Sequence, residues 1–152
     1  MWKGRPVSRP FLKIMYTTPA DMLDNLQRLP LDFVMQHAME KTGDEAVNQQ
    51  RLQLAQGLQS NDQYLPDYSF RSVFQYGKEP GPIKLYDTGA YYRGYKIDVR
   101  EDIFILDSTD HKSEMLKKRY GPDIAGLGSE ARSNYILTLR PVFINEVKTY
   151  LQ

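Results

Sequence analysis

Asp87-Thr88-Gly89, within "KLYDTGAYYRGYKIDV" (84–99), is the tripeptide with the most obvious chemical potential. Asp-Thr-Gly is the centre of an aspartic protease half-site, where two carboxylates about 3 Å apart share one proton and divide the acid and base roles. One copy per chain needs a mate from a second chain, with strand and apolar flanks on both sides. Here Tyr86 leads in, and Ala90-Tyr91-Tyr92-Arg93 reads as one turn of helix. Asp87 or Thr88 is therefore expected to cap that turn by accepting an orphan backbone N–H. Gly89 is expected to permit close packing or an unusual backbone angle. A structural corner made by Asp87, Thr88 and Gly89 accounts for the motif better than a hydrolase does.

Other reactive residues are scattered. His37 falls on a helix face and His111 in the polar "STDHKSE" turn, neither with a second ligand at metal spacing. Asp107, Asp110 and Glu114 can gather round a turn and are expected to be solvated capping carboxylates. Serines lack a strand–turn–helix nucleophile signature, and neither glycine-rich phosphate motif occurs. No catalytic, cofactor-binding or metal-ligating residue is expected.

The composition sets the frame for these residues. The 152-residue chain carries 20 basic and 19 acidic side chains, a net charge of +1, so it exerts no bulk pull on nucleic acid or membrane. No apolar run is long enough to span a bilayer, and the first residues lack a signal-peptide core. The absence of cysteine excludes disulfides, thiolate catalysis and Cys-ligated zinc, and fits a reducing interior. Eleven tyrosines suit half-buried sheets and protein interfaces alike.

Along the chain, residues 1–17 form a basic arm, with Lys3, Arg5, Arg9 and Lys13 and two prolines that favour extended geometry. It reads as a solvated tail, as an arm anchored on a neighbouring subunit by Trp2, Phe11 and Ile14, or as a nucleic-acid contact. Residues 18–152 are expected to form a single α+β domain. Thr18 is placed as the N-cap of a first helix, with Pro19 at its first position and Pro30 ending it. A second helix is expected over 31–41. "KTGDEA" should interrupt or kink it, and Asp44 should cap a third, Gln-rich piece to about Gln56 that needs a partner surface. Residues 57–70 and the stretch 75–82 read as loops around a short segment, 70–74. Tyr95, Ile97 and Val99 alternate with polar residues. Glu101-Asp102 make a turn, and Ile103 and Ile105 resume the apolar face of a hairpin. Ser113 is expected to cap a short helix. A last helix should start near Ser129 or Glu130, with Pro141 kinking or dividing it. The layout is N-terminal helices, a small antiparallel sheet with a central hairpin, and a C-terminal helix packing on the sheet: α+β.

Three blocks carry a family resemblance. They are "QLAQGLQSNDQYLPDYS" (53–69), "LYDTGAYYRGYKIDV" (85–99) and "MLKKRYGPDIAGLGSEAR" (115–132). In order and spacing they resemble the small virion-morphogenesis and tail-completion (head–tail connector) proteins of tailed bacteriophages. The loop after Gly57 lacks a second glycine often seen in that family, and the resemblance does not explain the basic arm. It implies a non-enzymatic virion structural protein. Copies would assemble as a ring at the portal–tail junction, against portal or adaptor and tail proteins. DNA would pass nearby, without membrane or cofactor. The implied location is the neck or tail of the virion, with the host cytoplasm during assembly. Subunit contacts are expected from Trp2, Arg5, Arg9 and Phe11 in the arm and from Tyr64, Tyr68, Phe70, Phe74 and Tyr76 in the loops. Near-zero net charge suits a ring that lets DNA slide past. The alternative is a nucleic-acid-binding module, using the arm and "KSEMLKKR" on phosphates with tyrosines for stacking.

Overall fold

A computed structural model describes residues 18–100 and 103–151. The basic arm and the Glu101-Asp102 turn lie outside these residues. The first helix, α1 (Pro19–Gln27), starts as its sequence demands. Thr18 is extended, its Oγ1 accepts the Asp21 N–H at 3.3 Å, and its hydroxyl donates to Asp21 Oδ2 at 2.8 Å.

The second helix, α2 (Leu31–Ala55), corrects the expected break: it runs for 25 residues straight through "KTGDEA", and Asp44 caps nothing. Gly43 is buried at the point where the hairpin crosses the helix. A Cβ there would come 2.5 Å from Ile97 Cγ2, so the glycine is present for close approach rather than to break the helix. Thr42 beside it donates to the Ala38 carbonyl at 2.9 Å and meets the Tyr135 hydroxyl at 3.0 Å.

After α3 (Phe70–Tyr76) and the single turn α4 (Ala90–Arg93) come β1 (Tyr95–Arg100) and β2 (Ile103–Ser108), an antiparallel pair. Tyr95, Ile97 and Val99 turn inward as expected. The second strand is in the other phase. The register sets Ser108, Leu106 and Phe104 opposite them, while Ile103 and Ile105 pair with Arg100 and Asp98 and point outward, 55% and 39% exposed.

Helix α5 (Ser113–Tyr120) begins at Ser113 rather than being capped by it. Asp110 Oδ1 instead accepts the Lys112 N–H at 2.8 Å. A 3-10 turn, Pro122–Ile124, leads to α6 (Ser129–Leu151), a single 23-residue helix through Pro141, which does not divide it. Pro141 lies on the exposed side, where solvent can take the carbonyl of Leu137 that the missing N–H leaves free.

Helix α6 runs antiparallel to α2, its principal neighbour. Gln53 meets Gly128, Thr42 meets Tyr135, His37 meets Glu146, and Phe33 meets Tyr150 in turn. α6 reaches the hairpin where Tyr135 stacks on Phe104, with centroids 5.6 Å apart. The core lies between α2, the hairpin and the 124–135 segment, with Leu54, Tyr95, Ile124 and Tyr135 at its centre. The architecture is α+β, with N-terminal helices, a two-stranded antiparallel sheet and a C-terminal helix returning onto the fold. No helix among the described residues is long and apolar enough to cross a membrane.

Candidate interaction surface and the Asp-Thr-Gly corner

The corner is built from backbone geometry more than from its acid. Leu85 and Gly89 both have left-handed backbones, at φ 52 and 77, which reverse the chain ahead of α4. Capping by Asp87 or Thr88 was expected, but the N-cap of α4 is Gly89; Thr88 Oγ1 accepts a long, 3.4 Å bond from the Ala90 N–H, and Asp87 makes no cap bond. Arg93 reaches back to the Thr88 carbonyl at 3.1 Å, and the Tyr92 hydroxyl donates to the Lys84 carbonyl. The Lys84 N–H in turn donates to the Tyr68 hydroxyl at 3.3 Å. A Cβ on Gly89 would sit 2.9 Å from the Arg93 guanidinium. Asp87 itself is 78% exposed and faces the Lys112 ammonium at 3.6 Å. A solvated carboxylate beside a cation is the opposite of the dry, proton-sharing pair a protease needs.

Behind the corner lies a polar core. Burial pushes the Tyr91, Tyr92, Tyr95 and Tyr135 hydroxyls above the usual phenol range. The Tyr95 hydroxyl lies 2.9 Å from that of Tyr91 and 3.0 Å from the Ile124 carbonyl, which also accepts from Gln50 Nε2 at 3.0 Å. Gln53 donates to the Gly126 carbonyl at 3.1 Å and accepts the Gly128 N–H at 2.7 Å. The Gln-rich stretch of α2 thus finds its partner in the backbone of "IAGLG", inside the same chain.

The region 57–82, expected as loose loops, is pinned instead. Leu65 N–H donates to the Gly57 carbonyl, Tyr68 N–H to Gly81 and Ile83 N–H to Pro66, at 2.7, 2.9 and 3.0 Å. At its tip Asp62, in a left-handed conformation, accepts from the Ser129 N–H and hydroxyl at the start of α6. Those two bonds hold its carboxyl below the usual carboxylate range.

From this pinned base α3 projects. Ser69 caps it, accepting from Ser72 N–H at 3.2 Å, and Gly77 closes it at φ 62. None of its residues is buried. Phe70 and Phe74, one turn apart, stack on each other at 4.1 Å between centroids and are 76% and 73% exposed. Tyr76 and Tyr64 are also exposed. Of the expected contact residues these four stand at the surface. Tyr68 is half-buried and used within the chain, and Trp2, Arg5, Arg9 and Phe11 lie outside the described residues. An open groove of about 280 Å³ runs between Tyr68 and Lys78, which flank α3 in sequence, and Ile83, Leu85, Leu116 and Tyr120.

Two features escaped the residue pattern. Glu146 on α6 accepts from His37 Nδ1 at 2.9 Å and from Lys41, one helical turn apart on α2. The Lys41 bond, aided by His37, holds the carboxyl below its ordinary range. The i, i+4 spacing of His37 and Lys41 was visible; a partner 109 residues away was not. Asp107, expected as a solvated cap, pairs with Lys117 and accepts the Ser108 N–H at 2.7 Å. Among the described residues no group of three or more metal-ligating side chains comes together. No family model matches the chain, and no curated protein or solved structure matches it.

Proposed function

We propose that this chain is a structural subunit that works by assembling with other proteins, as a ring-forming head–tail connector or tail-completion protein of a tailed bacteriophage. The observation that carries this reading is α3. A seven-residue helix in which only Ser72 and Val73 are even half-buried gains little from its own fold, yet it is capped at both ends and presents two stacked phenylalanines to solvent. Exposed aromatic patches of this kind mark protein contact surfaces. The pinned 57–82 base holds the patch in place, so little ordering entropy is lost on binding. The resemblance of the three sequence blocks supplies the phage context, with portal or adaptor and tail proteins as neighbours and the virion neck as location. The Asp-Thr-Gly corner then serves to aim the hairpin and to wall the groove it shares with Tyr68 and Leu116.

Light scattering of the full chain, alone and mixed with portal and tail components, tests the reading. Assembly is expected in at least one mixture, and Phe70→Ala/Phe74→Ala should weaken it at least tenfold. A chain that stays monomeric at high concentration and ignores those components sinks the proposal. Salt-dependent DNA binding lost on removing residues 1–13 would replace it with a nucleic-acid-binding role.

A further inference from the structure

Positive charge gathers around the groove of Tyr68 and Leu116. Residues 68–93 and 112–120, which supply its lining, hold eight basic and three acidic side chains in a chain whose net charge is +1. Two of the cations are taken up within the chain, Lys84 by Glu79 and Lys117 by Asp107. Lys112 faces Asp87 at 3.6 Å in an exposed pair that water weakens. Lys78 and Arg119 meet no carboxylate among the described residues.

These cations stand among aromatic rings. Lys78 lies 6.0 Å from the centre of the Tyr68 ring and donates to the Tyr86 carbonyl at 3.2 Å. Helix α5 adds Lys112, Leu116 and Tyr120 to the lining. Arg119 comes seven residues after Lys112, two helical turns, and so shares its face about 10 Å further along. Its guanidinium lies 5.3 Å from the centre of the Tyr120 ring. Tyr86, also in the lining, is 53% exposed, and Tyr68 and Tyr120 are half-buried.

A small anion can meet one of these cations. Three of them on separate segments, two about 10 Å apart along α5, suit an extended polyanion. Ring faces between cations take flat bases while the cations take phosphates, and a duplex keeps its bases stacked away from such rings. We infer that this groove binds a single strand of nucleic acid. Lys78, Lys112 and Arg119 hold phosphates, and Tyr68, Tyr86 and Tyr120 stack on bases. The contacts read no base edge, so binding is sequence-tolerant. The site is separate from the basic arm and from the aromatic patch of α3, and it stands or falls independently of the assembly reading.

Fluorescence anisotropy with a labelled fifteen-residue oligothymidylate and the full chain tests it. Binding is expected to be at least tenfold tighter than to a duplex of equal length. Three phosphate contacts give a log–log salt slope of about −2, so fourfold more salt should weaken binding about 20-fold. Lys78→Glu/Arg119→Glu should weaken it at least tenfold with an unchanged circular dichroism spectrum. Tyr86→Leu, which keeps an apolar wall but removes the ring, should weaken it at least fivefold. A full-length chain with Lys3, Arg5, Arg9 and Lys13 all changed to Gln should bind within threefold of the unaltered one. Loss of binding in that chain, with the groove variants unaffected, overturns the inference in favour of the arm. Tighter binding of a labelled decaglutamate peptide overturns it in favour of an acidic protein partner. Absence of oligonucleotide binding at about 100 μM protein and low salt also overturns it.

Discussion

The two ends of α2 live in different surroundings. From Thr42 to Leu54 the helix is enclosed: Gly43 meets Ile97, Gln50 and Gln53 bind the 124–128 backbone, and Leu54 is fully buried. From Leu31 to Lys41 only Val34 and Ala38 are buried, and the pairing with α6 leans on Phe33–Tyr150 and the Glu146 clamp. The enclosed end places Gln50 Nε2 and both polar atoms of the Gln53 amide on partners within the same chain. The open end, with α1 and the exposed apolar residues of α6 beside it, leaves large apolar side chains in water. Burial within the chain is therefore concentrated in one stretch of this helix, and the other stretch is left open for the proposed assembly.

Mutations should separate the two ends by size of effect. Leu54→Ala, at the closed end, should cost about 2–5 kcal/mol in denaturant unfolding, from lost transfer energy and the cavity left behind. Gly43→Val should cost about 1–3 kcal/mol, because the new side chain must displace Ile97 and the strand that carries it. Tyr95→Phe removes a hydroxyl between Tyr91 and the Ile124 carbonyl and should cost about 1–2 kcal/mol. An equal loss from Leu137→Ser at the open end would erase the distinction. That variant should change monomer stability by no more than about 0.5 kcal/mol.

The pH dependence sharpens the same contrast. Tyr91, Tyr92, Tyr95 and Tyr135 have folded-state values raised by burial, so their contribution is fully present below the ordinary phenol value of about 10 and fades as pH rises beyond it. Asp62 and Glu146 are depressed, so theirs is present above the ordinary carboxylate value, about 4, and is lost as pH falls through their folded values. Melting temperature followed across pH should fall at both extremes. Asp62→Asn and Glu146→Gln should flatten the acid limb, and Tyr95→Phe the alkaline one.

Features set by neighbours in sequence were legible. The Thr18 cap, the start of α6 near Ser129, the phase of β1 and the fold class all follow from local pattern. Features set by distant contacts were not. Gly43 read as a break because glycine weakens isolated helices, while its reason lies on Ile97, 54 positions on. Ile103 and Ile105 read as buried because they are branched and apolar. The strand's phase is fixed by the Arg100–Ile103 pairing, which turns Phe104 and Leu106 inward. Of the proposed contact surface, the exposed aromatics of α3 could be named from sequence. The exposed apolar positions of α6 (Ile136, Leu137 and Ile144) could not be told from its buried ones, because which side meets α2 is set by contacts with residues far away in sequence.

The antiparallel seam between α2 and α6 also sets an order of events during synthesis. α2 is complete at Ala55, but the helix that covers its seam ends at Leu151. At roughly 5–20 residues per second, Val34, Ala38 and Ala46 wait about 5–20 s for their cover. A nascent chain thus offers neighbouring ribosomes on the same message an unfilled helical seam, and α6 of a finished copy is the natural intruder.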